Sequence, residues 1–515
     1  MSSSPAWDVI VIGAGIGGLV TASQLAAKGA KVLVLERYLI PGGSGGSFQR
    51  AGYTFDVGAS MIFGFGQKGH TNLLTRALAD VGEHCDTIPD PVQLEYHLPG
   101  GLNVAVDRDY DSFVQRLSAL FPHEAKGIRA FYDACWQVFN CLDAMPLLSL
   151  EDPAYLAKVF FKAPLACLGL ARWLPFNVGA VARQHISDPQ LLQFIDMECF
   201  CWSVMPADLT PMINAGMVFS DRHAGGINYP KGGVGTIARK LVSGLERHGG
   251  AIRYKARVSK VLFEGERAVG VELASGEQLH AKRVVSNATR WDTFSGDGSA
   301  QSPLVDQSHT PAREARWRKR YKASPSFLSL HLGIDAALVP QGFHCHHLLL
   351  EDWQAMEDEQ GVIFVSMPSL LDPALAPEGR HILHCFTPSD MEHWQGLSPS
   401  QYRAKKEADA KRLIQRLDTL LLPGLSNAVH HQEVGTPRSH RRFLGRHQGS
   451  YGPIPALRLP GLLPMPFNRT GVDGLYCVGD SCFPGQGLNA VAFSGFACAH
   501  RIGADLGLNP WQLPD

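Results

Sequence analysis

The sequence lacks an excess of charge of either sign, since 47 lysines and arginines stand against 48 aspartates and glutamates. A surface without a net basic field does not concentrate polyanions, so we expect no binding of nucleic acid. The 11 cysteines include no Cys-x-x-Cys pair, which favours a reducing compartment. No charged and apolar leader precedes the first strand, so we predict a cytoplasm-facing protein without a signal or transit peptide.

The sequence offers only one hint of a structural zinc site, the segment His344-Cys345-His346-His347. Alternation along a strand would put His344 and His346 on one face. No second cluster of ligands accompanies them, as a zinc site usually requires. We therefore predict no metal site.

The N-terminal stretch is where the sequence becomes informative. The apolar run Asp8–Ile12 predicts a buried parallel strand, and three spaced glycines follow it. Gly13 allows a tight turn, Gly15 lets a pyrophosphate approach the main chain beside Ala14, and Gly18 lets the following helix pack on the strand. The stretch predicts the phosphate-binding turn of a dinucleotide site.

A second apolar strand supports this prediction. The strand is residues 31–35, and Glu36 and Arg37 follow it, about 20 residues after the glycines. A carboxylate at this position can bond both hydroxyls of a ribose. These features predict a dinucleotide but do not choose between NAD and FAD.

A second glycine-rich loop follows at Gly42, Gly43 and Ser44, and small residues recur around Gly58. Such a loop suits close main-chain approach along a pyrophosphate and a ribityl chain. A plain flexible loop remains the alternative for this segment alone.

The C-terminal part of the chain supplies the feature that favours FAD. A strand ends at Gly479 and Asp480, and an apolar helix begins after Gly487, at about Leu488. An aspartate there can accept a hydrogen bond from a ribityl hydroxyl, while the helix amides face the pyrimidine carbonyl, which becomes more negative on reduction of the flavin. We predict that both ends of the chain bind one FAD.

The length of 515 residues predicts two domains, because one hydrophobic core rarely grows that large. We expect an α/β fold with a discontinuous FAD-binding Rossmann-like domain made of residues 1–80, 215–290 and 465–515. Residues 81–214 and 291–464 would form an inserted α+β domain that binds substrate and contacts the membrane. In this layout the backbone of Val258 can bond the adenine, although an ordinary core valine is the alternative.

Large apolar residues mix with lysine and arginine from Tyr155 to Ala180. Pro164, Pro175 and the charges make this stretch too broken to span a bilayer. It suits a patch lying in the membrane interface, with Phe160, Phe161 and Trp173 among its members. A buried helical pair is the alternative.

The sequences of several motifs, spread along nearly the whole chain, resemble those of one flavoprotein family. This family is the carotenoid isomerases of plants and cyanobacteria that act on prolycopene. The matching stretches are FPHEAKGIRAFYDACW, DPQLLQFIDMECF, TPMINAGMVFSDRHAGGINYPKGGVGTIA, VSNATRWDTF, CHHLLLEDW, LAPEGRHILHCFT, EVGTPRSHRRFL and GLYCVGDSCFPGQGLNAVAFSG. The resemblance implies a fold like that of the phytoene desaturase and flavin amine oxidase group, of the GR2 type. It also implies an isomerase that converts poly-cis lycopene to the all-trans product with reduced FAD and no net redox change.

The family's flavin-binding positions carry over to Gly13, Gly15, Gly18, Glu36, Gly42, Gly43, Ser44 and Asp480. The sequence of the final motif looks more like that of the isomerases than like that of related desaturases. Three other activities nevertheless stay open: a carotenoid desaturase that uses oxidised FAD, a reductase like retinol saturase, and a prenyl-binding chaperone like the GDP-dissociation inhibitors. The chaperone activity is disfavoured, because the GDP-dissociation inhibitors have lost their dinucleotide site. This sequence keeps the glycines, Glu36 and Asp480.

Three partners follow from a carotenoid substrate. The polyene itself and a lipid surface are two of them, and a separate electron donor is the third, because no second Gly-x-Gly-x-x-Gly follows a strand to bind NAD(P)H. Together with the missing plastid leader, these expectations predict a location on the cytoplasmic face of a bacterial thylakoid or plasma membrane. Catalytic residues stay unassigned, with Glu351, Asp352, His346 and the basic cluster 438–442 as polar candidates.

Overall fold

The computed structural model describes residues 7–58, 60–294, 303–456 and 465–508. Within these ranges it has twenty strands. In chain order they are β1 (Trp7–Ile12), β2 (Val32–Leu35), β3 (Ser47–Arg50), β4 (Tyr53–Asp56), β5 (Thr87–Pro89), β6 (Val92–Leu98), β7 (Leu102–Asp107), β8 (Asn228–Pro230), β9 (Ala251–Arg253), β10 (Val258–Glu264), β11 (Arg267–Leu273), β12 (Gln278–Ser286), β13 (Tyr321–Ala323), β14 (Ser326–Asp335), β15 (His346–Leu350), β16 (Val362–Ser366), β17 (Arg380–Ser389), β18 (Val429–Gly435), β19 (Pro453–Pro455) and β20 (Leu475–Cys477).

The same ranges contain sixteen α-helices. In chain order they are α1 (Ile16–Ala27), α2 (Leu73–Ala79), α3 (Tyr110–Leu120), α4 (Ala125–Asp143), α5 (Pro153–Lys162), α6 (Pro164–Ala171), α7 (Val178–His185), α8 (Pro189–Ser203), α9 (Met212–Asp221), α10 (Gly235–Arg247), α11 (Arg290–Thr293), α12 (Ala312–Arg320), α13 (Pro399–Leu420), α14 (Leu425–Ala428), α15 (Pro437–Leu444) and α16 (Leu488–Asp505).

The first of two seven-stranded sheets has the order β10-β11-β12-β1-β2-β9, with β20 also paired to β12. The strands around β1 are parallel, while β10, β11 and β12 form an antiparallel meander. Helix α1 is buried on almost every side and packs against α10 and α16. Such burial explains why its sequence is apolar all round rather than amphipathic.

The second sheet has the order β18-β14-β17-β16-β15-β6-β7, and all its pairs are antiparallel except β6 with β15. Helix α13 covers one face, with Leu413 and Leu417 in that core. Helices α4, α8 and α9 lie over the other face, around Phe194 and Phe219. Because both faces are covered, β14 is buried along nine of its ten residues instead of alternating.

These elements show the predicted α/β fold class. The strands of the first sheet fall in the segments assigned to the FAD-binding domain, and those of the second in the segments assigned to the inserted domain. The domain boundaries themselves stay a prediction.

The apolar stretch after residue 152 folds as two short helices, α5 and α6, which meet at an angle of 107°. In the described ranges no single helix is long and apolar enough to cross a membrane, and this bent pair meets that test by length and composition only. Large apolar side chains on and just after the pair are exposed, and we call them the apolar patch: Phe160, Phe161, Leu165, Leu168, Leu174 and Phe176.

The prediction that Trp173 belongs to this surface is wrong. The Trp173 side chain is only 8% exposed and packs in the core beneath the second sheet. It turns inward because α6 ends before it, so the helical spacing that exposes Leu168 no longer applies.

Candidate functional site

The predicted phosphate-binding turn lies between β1 and α1. Gly13 has a φ of 95°, a conformation that favours glycine. A Cβ on Gly15 would lie 2.6 Å from Asn287 Nδ2, and one on Gly18 would lie 2.6 Å from the Gly13 oxygen. The turn therefore needs glycine at all three positions, for conformation at the first and for space at the others.

Glu36 stands at the end of β2 beside this turn. Its carboxylate accepts hydrogen bonds from the Ala14 amide at 2.8 Å and from the Tyr38 amide at 2.7 Å. The side chain is 8% exposed and borders the large cavity described below. Two backbone donors thus fix the carboxylate where a ribose could reach its remaining lone pairs.

The second glycine loop lies directly against the first turn. The Gly42 amide donates to the Ala14 oxygen at 2.8 Å, and Gly42 has a φ of 108°. The Ser44 hydroxyl is buried and has no hydrogen-bond partner among the described residues. A Cβ on Gly58 would come within 2.6 Å of the Ser44 carbonyl oxygen, so the main chain packs closely against this turn. An unpaired buried hydroxyl in a glycine-lined turn fits a bound phosphate oxygen.

The C-terminal part of the site is formed where β20 ends and α16 begins. Gly479 has a φ of 105°, and Asp480 after it is paired with Arg446. Gly487 caps α16, whose free amides point toward the same space. The two ends of the chain therefore meet at one place, as predicted.

A continuous cavity of about 1270 Å³ starts at these turns. Of the fifteen residues predicted to bind the cofactor, thirteen line it: Gly13, Gly15, Glu36, Arg37, Gly42, Gly43, Ser44, Gly58, Val258, Gly479, Asp480, Gly487 and Leu488. Ala14 and Gly18 do not line it, since Ala14 supplies the amide bonded to Glu36 and Gly18 packs beneath the turn.

Beyond the turns, the cavity is walled by aromatic side chains of the second sheet. Phe327, Phe364, Phe386 and Tyr451 all line it. Phe364 and Phe386 are stacked with ring centroids 4.8 Å apart. This part of the cavity offers flat, apolar surfaces suited to a conjugated hydrocarbon.

Three buried histidines complete that wall: His331, His384 and His440. The rings of His331 and His384 are stacked with centroids 4.2 Å apart, and His331 Nε2 lies 2.8 Å from the Asp56 oxygen. Burial lowers the pKa of His331 and of His440 to about 4, and that of His384 well below its ordinary value. At neutral pH these three histidines are therefore uncharged.

The opposite end of the cavity runs toward the apolar patch. Leu142, Leu170 and Leu174 line it, and Leu174 also belongs to the patch. An apolar passage therefore leads from the flavin-side turns to the surface near α6.

Most of the polar candidates for catalysis lie outside the cavity. Glu351 is paired with Arg416, and Asp352 accepts from the Gln354 amide. Within the basic cluster, Arg441 lies near Asp292 and Arg438 lies over the Tyr402 ring. Of the basic cluster, Ser439 and His440 line the cavity, whereas Glu351, Asp352, Arg438, Arg441 and His346 do not.

Sequence reasoning missed Arg446, Asn287 and two of the cavity histidines, His331 and His384, whereas His440 belongs to the basic cluster that it named. Arg446 follows the basic cluster directly, so its position gave a weak signal. The histidines are brought together by the pairing of β14 with β17 and by α15, which no local motif reveals.

Comparison with known proteins agrees with this geometry. Residues 16–503 match the model of the flavin containing amine oxidoreductases, and the chain belongs to that family. It is therefore a flavoprotein. An oxidoreductase from Methanosarcina mazei has the same fold, with a TM-score of 0.63 at 20% identity over 95% of this chain and 99% of that one.

Within the family the chain belongs with the prolycopene isomerases. It is 56% identical to the chloroplastic prolycopene isomerase of Arabidopsis thaliana, over 98% of this chain and 83% of that one. The enzyme of the same name from Daucus carota is 54% identical, over 99% and 82%. The resemblance predicted from the motifs is confirmed, and the desaturase, reductase and chaperone alternatives are not favoured.

These relatives correct one expectation. They are chloroplastic proteins of plants, so the prediction of a bacterial cytoplasmic-face location without a transit peptide is wrong. The prediction rested on the start of the sequence, whereas the residues that build the fold and the cavity are compatible with either setting.

Proposed function

We propose that this protein converts poly-cis lycopene to the all-trans form, using FAD in its reduced state and causing no net redox change. The main observation in support of this proposal is that the cavity is continuous. The turns that would hold the dinucleotide and a wall of aromatic and aliphatic side chains line the same cavity, so a flavin and a long polyene can lie in contact.

The cofactor would be held by the glycines of the two turns, the unpaired Ser44 hydroxyl, the Glu36 carboxylate and Asp480. Each glycine leaves space that a Cβ would fill, and Ser44 needs a partner that phosphate supplies. Val258 is at the start of β10, where its backbone could meet the adenine. When bound, reduced FAD supplies an electron-rich ring that can lower the bond order of a conjugated double bond.

The chain's own residues would favour this chemistry in two ways. Arg446 and the N-terminus of α16 bring positive potential to the flavin side of the cavity, which stabilises negative charge there. The neutral histidines and the phenylalanines hold the polyene without a competing charge and exclude water. No residue needs to act as a permanent electron acceptor, because the reaction leaves the electron count unchanged.

Substrate delivery would require a lipid surface. Carrying a forty-carbon hydrocarbon through water costs on the order of 30 kcal/mol, at about 0.8 kcal/mol per carbon, whereas transfer from bilayer to apolar cavity is nearly neutral. Phe161 and Leu165, the most exposed members of the apolar patch, are 81% and 83% exposed. Lys158, Lys162 and Arg172 surround the patch and suit lipid headgroups.

Electrons for the first reduction of the flavin would come from a separate donor. The sequence has one strand-flanked dinucleotide fingerprint, and Glu36 and the two turns occupy it. A soluble or membrane-bound reductant would therefore be the third partner.

The test supplies tetra-cis lycopene in liposomes to photoreduced holoenzyme, in the dark and without oxygen. The expected product is all-trans lycopene of unchanged mass, and the same enzyme with oxidised FAD should be inactive. A product two mass units lighter would indicate a desaturase, and one two units heavier a reductase. Equal turnover by apoprotein would contradict the proposal.

A further inference from the structure

Three residues with metal-binding side chains meet outside the flavin cavity. Asp90 lies in the turn between β5 and β6, and Cys345 and His346 lie at the start of β15. One oxygen, one sulfur and one nitrogen atom of these side chains lie within 4.8 Å of one another. All three side chains are buried, and none lines the cavity.

Two of these ligand atoms are buried without a hydrogen-bond partner among the residues that the structure describes. They are Asp90 Oδ2 and His346 Nε2, and they lie 3.6 Å apart. Arg108 lies nearby, but its guanidinium donates its hydrogen bonds to Gly225, Ile227 and Asn228 and not to Asp90. Leaving a buried carboxylate oxygen and a ring nitrogen unpaired is costly, and a cation between them removes that cost.

The rest of each side chain is oriented as in a metal site. His346 Nδ1 lies 2.9 Å from the Ser366 hydroxyl, and a proton shared there leaves the Nε2 lone pair directed at Asp90 and Cys345. The other Asp90 oxygen accepts from the Val92 amide at 3.3 Å. Metal-binding histidines and carboxylates usually have such outer partners, which fix the tautomer and the direction of the lone pairs.

The spacing matches a small tetrahedral ion. In tetrahedral geometry, zinc bonds of about 2.0–2.3 Å place neighbouring ligand atoms about 3.3–3.8 Å apart. The observed separation between Asp90 and His346 is of that length, which is too long for a hydrogen bond. We propose that Asp90, Cys345 and His346 bind one zinc ion, with water as the fourth ligand.

A neighbouring set of ligand types, Glu95, His97 and His347, lies on the other face of the same strands. Here the rings are already satisfied, because His97 Nε2 lies 3.1 Å from His347 Nδ1 and His347 Nε2 lies 3.0 Å from the His344 oxygen. This set needs no ion, and it provides a control.

The zinc would have a structural role. It would tie β15 of the second sheet to the turn that leads out of β5. Strand β5 pairs with β8, whose Tyr229 donates to Asp56 beside the cavity. An ion at this point would fix the second sheet against the segment that carries Asp56, and its binding would release the Cys345 thiol proton.

The test uses holoenzyme treated with a chelator, desalted, and then given zinc or cobalt. We expect about one zinc to be retained per chain after gel filtration, together with a rise in the unfolding temperature. Cobalt should give a near-ultraviolet band from the thiolate bond, which reports Cys345 directly. Failure of the wild-type protein to retain zinc, or cobalt binding without that band, would overturn the proposal.

The variants Asp90→Asn, Cys345→Ala and His346→Gln should each retain much less zinc. Cys385→Ala removes another buried cysteine, and His97→Gln alters the neighbouring set, so both should retain it. The flavin spectrum and gel-filtration volume show which variants are folded. If folded variants of the first group retain as much zinc as the controls, the assignment is wrong.

Discussion

Arg446 and Asp480 form an ion pair in the wall of the cavity, where the loop after α15 meets the end of β20. Both side chains are largely buried, at 16% and 14% exposed. Arg446 also donates to the Ser450 oxygen and lies over the Tyr451 ring, 5.5 Å from its centroid. The guanidinium is therefore held in place before any ligand arrives, and Asp480 is not an isolated acceptor.

This pair leads to a prediction about the flavin's potential. In Arg446→Gln the fixed positive charge is gone, so the negative charge of the reduced cofactor is less well stabilised. We expect a lower two-electron reduction potential, by about 30 mV for each 1.4 kcal/mol lost, measured by dye-coupled reduction. Arg416→Gln, which removes an arginine paired with Glu351 away from the cavity, should leave the potential unchanged. Equal potentials in all three proteins would contradict the prediction.

A second prediction concerns Gly15. In Gly15→Ala the new methyl group would lie 2.6 Å from Asn287 Nδ2 and would enter the space proposed for the pyrophosphate. We expect FAD affinity to fall by at least about tenfold, which corresponds to 1.4 kcal/mol, measured by fluorescence titration of apoprotein. The double variant Gly15→Ala with Asn287→Ala removes the internal clash only. If it regains full affinity, the glycine serves Asn287 and not the cofactor.

The apolar patch gives a third prediction. Phe161→Glu combined with Leu165→Glu replaces two nearly fully exposed apolar side chains, each worth about 1.5–3 kcal/mol when buried. Liposome binding should weaken by at least about 100-fold, as measured by co-sedimentation, while turnover of detergent-dispersed substrate is retained. Leu120→Glu is the matched control, because Leu120 is 44% exposed at the end of α3. Equal loss in the control would mean that added charge, and not the patch, was responsible.

A fourth prediction follows from the buried His331. Its pKa is lowered to about 4 by burial, so the unfolded chain binds a proton at higher pH than the folded protein does. Its contribution to stability is fully present above about pH 6.5 and is lost as the pH falls toward 4. The free energy of unfolding should fall by up to roughly 3 kcal/mol over that window.

Denaturant titrations at several pH values check this slope. His331→Phe should show a shallower dependence between pH 6.5 and 4. The variant also leaves the Asp56 carbonyl oxygen without its partner. That loss lowers the free energy of unfolding by the same amount at every pH, so it does not change the slope. An unchanged slope would show that His331 does not carry the effect.

Much of the flavin cradle could be predicted because its signals are local. A strand, a turn that needs positive φ and a helix appear within a dozen residues around Gly13, and Glu36 follows at the end of the next strand. The meeting of both chain ends could be predicted as well, since Asp480 is in a motif of the same kind. Such motifs report backbone geometry, which sequence encodes directly.

The substrate wall and the proposed zinc site depend on long-range pairing instead. His331 meets His384 only because β14 and β17 pair in that register, and Asp90 meets His346 only because β6 lies beside β15. No spacing along the chain signals either contact. The expectation for Trp173 failed for a related reason, because the place where α6 ends decides which way that side chain turns.

If the apolar patch docks on a bilayer as proposed, the 107° bend between α5 and α6 limits how far it can enter. The eight residues of α6 make a rod about 12 Å long, which is less than half of the roughly 30 Å hydrocarbon thickness. On the proposed docking, a segment of this length would reach into one leaflet only. The polyene would then enter the cavity from that leaflet, and the protein would not need to cross the membrane to reach it.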